Sequence, residues 1–136
     1  MCPDFPSVSG VSGQVGVYVS SRQKLSGTAT ISALNTETTV IEVANQKNDF
    51  DVEGYIDVSA MQSGDVLVIT EYVSVDGVNY NVYATQTLSD AQSQPIFRFT
   101  RKSFINTMKY KVTVKQTGGT ARSFPYSFVV DLYSQA

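Results

Sequence analysis

The chain has 136 residues, 16% of them charged, and a formal net charge of −2. This length suits one domain that buries roughly two thirds of its unfolded surface. The near-neutral charge excludes a general attraction to nucleic acid or anionic lipid. No apolar run approaches the ~20 residues of a membrane helix. We therefore expect neither a nucleic-acid partner nor a membrane partner.

Residues 1–27 are rich in Pro, Gly and Ser, and Asp4 is their only charge before Arg22. Val15, Val17 and Val19 alternate with small or polar residues, so this segment could add a strand to a sheet. We predict an extended N-terminal arm over residues 1–27 that lies on another subunit, with its own domain as the alternative. Residues 1–20 lack a basic region followed by an apolar one, so we expect no secretion signal.

Strand-like runs follow at intervals of roughly 10–15 residues. Residues 28–33 and 37–44 form two short runs, and residues 50–59 alternate cleanly between apolar and polar side chains. Further runs occupy residues 96–100, 108–116 and 122–133. No window shows a sustained helical period.

The strongest local signal is Asp76-Gly77 between two apolar runs within residues 65–88. Asp-Gly favours a two-residue hairpin loop, because both central residues of a type I′ turn need positive φ. Such a loop would pair Val75 with Val78, Val73 with Tyr80 and Glu71 with Val82. The predicted core face comprises Leu67, Ile69, Val73, Val75, Val78, Tyr80, Val82 and Ala84.

The opposite face of this hairpin is too apolar for plain exposure to solvent. Val66, Val68, Tyr72 and Tyr83 lie on it in the predicted register, and we name these four residues the self-association surface. We predict that it is a subunit interface in a homo-oligomer.

About eight strands of period two, separated by turn signals, predict an all-β, antiparallel two-sheet sandwich. A jelly-roll-like strand order is favoured, and an immunoglobulin-like order is the alternative. The predicted domains are the arm at residues 1–27 and the β-sandwich at residues 28–136.

Catalytic and metal chemistry has little support, because the chain has no His and one Cys. His is the commonest general base and metal ligand. We predict no enzymatic activity, no metal site and no cofactor.

Glu71 is the one carboxylate on the predicted core face. A buried carboxylate needs a cationic partner, and Arg98 and Arg101 are the candidates. The alternative, which we favour, is a bulge that returns Glu71 to water.

Charge is segregated along the chain: residues 49–90 contain acids and no base, and residues 98–122 contain bases and no acid. The two groups could pair across strands or dock one subunit on another. The candidate acidic face consists of Asp51, Glu53 and Asp57, and the candidate basic face consists of Lys109, Lys111 and Lys115.

Tyrosines predicted to be exposed, among many Asn, Thr and Gln residues, leave a second function open, a carbohydrate-binding or receptor-binding β-sandwich module.

In its overall composition the chain resembles the small β-rich virion proteins of phages and archaeal viruses. It has an initiator Met, no His or Trp, a Gly/Ser-rich segment at residues 7–27 and a Thr/Val/Tyr-rich region at residues 28–133. Capsid decoration proteins are the most similar. The resemblance implies a non-enzymatic virion component, assembled in the host cytoplasm. It also implies a homo-oligomer, with a trimer favoured, whose terminal arm clamps neighbouring capsid subunits.

Overall fold

The computed structural model describes residues 18–134 and contains no helix among them. The predicted all-β class is confirmed. The eight strands are β1 (Val19–Thr30), β2 (Glu37–Val43), β3 (Phe50–Asp57), β4 (Val66–Ser74), β5 (Asn81–Ser89), β6 (Ile96–Phe104), β7 (Lys109–Gly118) and β8 (Ser123–Tyr133).

The strands form two four-stranded sheets. Sheet 1 has the order β1-β8-β3-β6 and sheet 2 the order β2-β7-β4-β5, and all paired neighbours are antiparallel. Every connection except the one from β4 to β5 passes from one sheet to the other. The pairs β4·β5, β3·β6, β2·β7 and β1·β8 mirror one another about that hairpin, as in a double ribbon rolled into a jelly roll. The immunoglobulin-like alternative is wrong, since it would place β1 and β2 side by side in one sheet.

The core lies between the sheets and is built from the alternating apolar residues of the central strands. In β3, Phe50, Val52 and Ile56 are buried, as their period of two predicts. The rings of Phe50 and Phe104 stack with centroids 5.1 Å apart. Gly54 lies in the same strand against the ring of Phe128, where a Cβ atom would be 2.2 Å from Cδ2. Both contacts join neighbouring strands of sheet 1, so the side chains on its inner face pack tightly around β3.

Residues 19–27 correct the predicted domain boundary, because they belong to β1 rather than to a separate arm. β1 pairs with β8 of the same chain, from Val19 opposite Tyr133 to Thr30 opposite Ser123. As an edge strand with few buried side chains, β1 needs no apolar alternation. The predicted arm positions Val15 and Val17 lie outside the described residues.

The loop between β4 and β5 is longer than the predicted two residues, since β4 ends at Ser74 and β5 begins at Asn81. The carboxylate of Asp76 accepts hydrogen bonds from the backbone N–H groups of Val78 and Asn79, both at 2.8 Å. This side-chain capping replaces the backbone pairing of a tight turn. It holds the pKa of Asp76 well below its ordinary value.

The hairpin register differs accordingly. Glu71 lies opposite Ala84 and Val73 opposite Asn81, with a bulge between Glu71 and Tyr72, so the predicted pairs are wrong. The bulge reverses the direction of the side chains at the start of β5. Three residues predicted for the core are exposed. Val82 is exposed because of this change of direction, and Val75 and Val78 are exposed because they lie in the longer loop.

Candidate interaction surfaces

The outer face of sheet 2 holds three of the four residues of the predicted self-association surface. Val66, Val68 and Tyr72 alternate along β4 with the buried Leu67 and Ile69, and all three are half-buried. Their common outward direction follows from the pleat of the strand. These three residues therefore share one face of sheet 2, and their role as an interface stays a prediction.

Tyr72 is held in place by polar contacts on the same face. Its hydroxyl donates a hydrogen bond of 2.5 Å to Glu37, which also accepts one from Thr113. These two bonds, first that from Thr113 and then that from Tyr72, lower the pKa of Glu37. The Lys111 ammonium lies 5.0 Å from the ring centroid of Tyr72 and 4.5 Å from that of Tyr80. Cation–π contacts thus tie the β4–β5 loop to β7.

Tyr80 lies on the outer face of sheet 2, although the predicted register placed it in the core. Its hydroxyl donates to Glu42 at 2.7 Å. Burial, followed by this hydrogen bond, raises the pKa of Tyr80. Tyr72 and Tyr80 are therefore both held in place by contacts within the outer face of sheet 2.

Tyr83, the fourth predicted residue, lies apart from the other three. It occupies the bulge of β5 at the edge of the sandwich, where the Lys102 ammonium is 5.5 Å from its ring centroid. Lys102 reaches from β6 across to Glu71 at 2.7 Å, and Tyr110 donates to the same carboxylate at 2.6 Å. The predicted grouping of Tyr83 with Val68 is therefore wrong.

This contact also resolves the partner of Glu71. The carboxylate of Glu71 stays mostly buried between the sheets and pairs with Lys102. The prediction that a bulge returns Glu71 to water is therefore wrong, and so is the prediction that Arg98 or Arg101 is its partner. A second bulge explains the difference: the register of β6 shifts opposite Val52 and Gly54. The shift points Lys102 inward and Arg101 outward.

The outer face of sheet 1 carries a charge network that spans all four strands, and we name it the sheet 1 network: Arg22, Asp51, Glu53, Arg101 and Asp131. Arg22 donates to both carboxylate oxygens of Asp131, at 2.6 and 3.0 Å. Arg101 donates to Asp51 at 2.9 Å, to Glu53 at 2.9 Å and to Asp131 at 2.6 Å. The two edge strands, β1 and β6, are thereby tied to the central strands.

The network compensates for an unfavourable arrangement of carboxylates. Asp51 and Asp131 face each other directly on β3 and β8, where like charges destabilise a sheet. The hydrogen bonds from Arg22 first, and from Arg101 after the opposing effect of burial, lower the pKa of Asp131 to about 2. Burial opposes ionisation of Asp51, but hydrogen bonds from Tyr133, Ser103 and Arg101 outweigh it and lower that pKa too. Both carboxylates are held ionised.

The predicted charged faces occupy different sheets. Asp51 and Glu53 belong to the sheet 1 network, and Asp57 instead accepts a hydrogen bond from the backbone N–H of Ser59 at 2.8 Å. Lys109, Lys111 and Lys115 lie on β7 of sheet 2. Pairing of these lysines with those acids inside one chain is therefore wrong, and docking between subunits stays a prediction.

A cleft of about 340 Å³ opens at the end of the sandwich that carries the β2–β3, β4–β5 and β6–β7 loops. Phe104, Ile105 and Met108 form its apolar side, with Asp49 and Tyr133 opposite. Asp49 is engaged by the backbone N–H of Asn106 at 2.9 Å. Residues 18–134 contain no group of three or more side chains placed to hold a metal ion. None of the described residues form a helix long and apolar enough to span a membrane.

The fold and these surfaces define the class of the described chain, an eight-stranded jelly-roll sandwich with charged and aromatic outer faces. Comparison with protein-family models, with curated proteins and with solved structures finds no significant match.

Proposed function

We propose that this protein is a non-enzymatic structural subunit that self-assembles as a virion component of the capsid decoration type. Jelly rolls build viral shells, and they also occur in lectin domains and cupins. The topology is therefore compatible with the proposal and does not decide it, since a fold can host unrelated functions.

The observation that carries the proposal is the location of exposed apolar side chains. Among the described residues ten large apolar side chains are exposed, and four of them lie on the β4–β5 hairpin and its loop: Val75, Val78, Val82 and Tyr83. A cluster of exposed apolar side chains is typical of protein interaction sites and supports the proposal. On the outer faces, by contrast, aromatic and charged side chains largely engage one another. Val66 and Val68, near the opposite end of β4, add half-buried apolar side chains on the outer face of sheet 2.

The first experiment measures assembly of the purified chain by size-exclusion chromatography with light scattering. Val68→Arg should reduce the assembled fraction, because it places an uncompensated charge on the outer face of sheet 2. Ser127→Arg is the matched control, since Ser127 is an exposed position of β8 in sheet 1. Equal assembly of both variants would show that the outer face of sheet 2 is not the interface.

The arm needs its own variant, and the structure limits its extent. Because β1 begins at Val19, we propose removal of residues 2–16, which leaves that strand intact. The shortened chain should still fold, but it should assemble poorly. Unchanged assembly would refute the clamping role of the arm.

Two measurements separate the structural role from the carbohydrate-binding or receptor-binding alternative. Mass spectrometry of the source particle should find hundreds of copies of the chain in each particle. Specific binding of the isolated chain to a glycan array, with no such particle, would favour the alternative.

A further inference from the structure

The two open sheets leave four edge strands: β1 and β6 in sheet 1, β2 and β5 in sheet 2. Each presents backbone N–H and C=O groups that no other strand among residues 18–134 pairs. Natural edges are usually protected from other chains by charged side chains, prolines or bulges. Three of the four edges carry charge: β1 has Arg22 and Lys24, β6 has Arg98, Arg101 and Lys102, and β2 has Glu37 and Glu42.

The exception is β5, whose sequence NVYATQTLS contains no charged residue, glycine or proline. Its bulge affects only the first residues, and the remainder keeps a regular register from Ala84 to Ser89. Val82 and Tyr83, at its start, are 61% and 60% exposed. The least protected edge of the fold is thus also the one with the most exposed apolar surface.

The charges on the edge strands indicate which of them can pair with a second copy of the same strand. In a two-fold contact each strand meets a copy of itself, and like charges facing one another across strands are destabilising. Self-pairing would bring bases together along β1 and β6 and acids together along β2. Only β5 can pair with its own copy without that penalty.

We propose that β5 is the strand through which two copies of this chain associate, antiparallel and edge to edge, so that their two sheets 2 become one continuous sheet. The inference rests on the self-association proposed above and names its contact. A two-fold axis at Gln86 sets Ala84 opposite Leu88 of the partner subunit, apolar against apolar. It also sets Thr85 opposite Thr87 of the partner subunit, a favourable cross-strand pair.

Charge reversal at the axis tests the contact. Gln86→Lys and Gln86→Glu each place identical charges opposite one another and should weaken the dimer by about tenfold or more. An equimolar mixture of the two variants should restore dimers, because the charges then complement each other. Gln23→Lys is the matched control, the same substitution at an exposed position of the β1 edge. Sedimentation velocity at matched concentrations gives the mass, and circular dichroism verifies that each variant is folded.

Hydrogen exchange supplies an independent readout. Backbone amides within residues 84–88 should exchange more slowly as the concentration of the unmodified chain rises, and this protection should be lost in Gln86→Lys. Equal protection in both proteins would overturn the proposal.

The outcomes distinguish this contact from self-assembly in general. An oligomer that keeps its mass in Gln86→Lys, including a trimer, refutes the β5 contact and leaves self-assembly standing. The β5 contact is also refuted if removal of residues 2–16 abolishes assembly and Gln86→Lys does not. A chain that stays monomeric at every concentration refutes both proposals.

Discussion

Replacing Arg101 by methionine is the sharpest test of the sheet 1 network. The guanidinium donates to three carboxylates, those of Asp51, Glu53 and Asp131. Methionine keeps much of the length of the side chain and removes all three donors. Asp131 retains Arg22, but the two carboxylates that face each other across β3 and β8 lose the cation between them.

The magnitude follows from burial. The side chain of Asp131 is only 2% exposed, and removal of one partner of a buried ion pair costs about 3–5 kcal/mol. Arg101 itself is 33% exposed, so water replaces part of the interaction. We expect the free energy of unfolding to fall by about 2–3 kcal/mol. The control is Arg98→Met. Arg98 is 58% exposed and reaches Glu53 only at 3.8 Å, so that change should cost less than about 0.5 kcal/mol.

Urea unfolding followed by far-UV circular dichroism measures both variants, since the chain has no Trp for fluorescence. The pKa of Asp131 falls from 3.8 to about 2 on folding. Its ionised form therefore stabilises the fold above about pH 4, and that contribution is lost as the pH falls toward 2. The gap between the unmodified protein and Arg101→Met should narrow over that interval. Equal losses for the two arginine variants, or a gap independent of pH, would refute the reasoning.

Two further substitutions test the interior. Gly54→Ala should destabilise the fold by about 2–3 kcal/mol, because the new methyl group collides with the ring of Phe128. A melting temperature within about 2 °C of that of the unmodified protein would contradict this packing, since such a loss should cause a much larger shift. Lys102→Met should cost about 2–4 kcal/mol by leaving the carboxylate of Glu71 without its cation. The double variant with Glu71→Gln should recover a substantial part of that loss, and no recovery in a double-mutant cycle would mean that the two side chains are not coupled.

Residues 50–58 show what sequence periodicity can predict. Their alternation is produced by a strand with one face in the core, and the burial of Phe50, Val52 and Ile56 confirms it. The sequence favours a jelly-roll strand order without specifying it, because local patterns do not determine which sheet a strand joins. The predicted pairing of the β7 lysines with acids of β3 is wrong for the same reason, since the two strands lie in different sheets.

The hairpin and the edges show where the sequence misleads. The backbone preferences of Asp76-Gly77 indicate a tight turn. In the structure the Asp76 carboxylate instead accepts hydrogen bonds from two backbone amides, in a longer loop. A bulge is equally hidden, since one extra residue reverses which side chains face inward. The partner of Glu71 is hidden in the same way, because the inward direction of Lys102 depends on a bulge in β6. The polar β1 has the sequence pattern of an arm because an edge strand can be exposed on both faces.

The pairing of β1 with β8 has a consequence for biosynthesis. Arg22 and Asp131 are 109 positions apart, and ribosomes add about 5–20 residues per second. The first strand therefore emerges roughly 5–20 seconds before the strand that will pair with it. Throughout that delay the first strand lacks the strand that completes its pairing, so the sandwich can close only after the last strand has been synthesised.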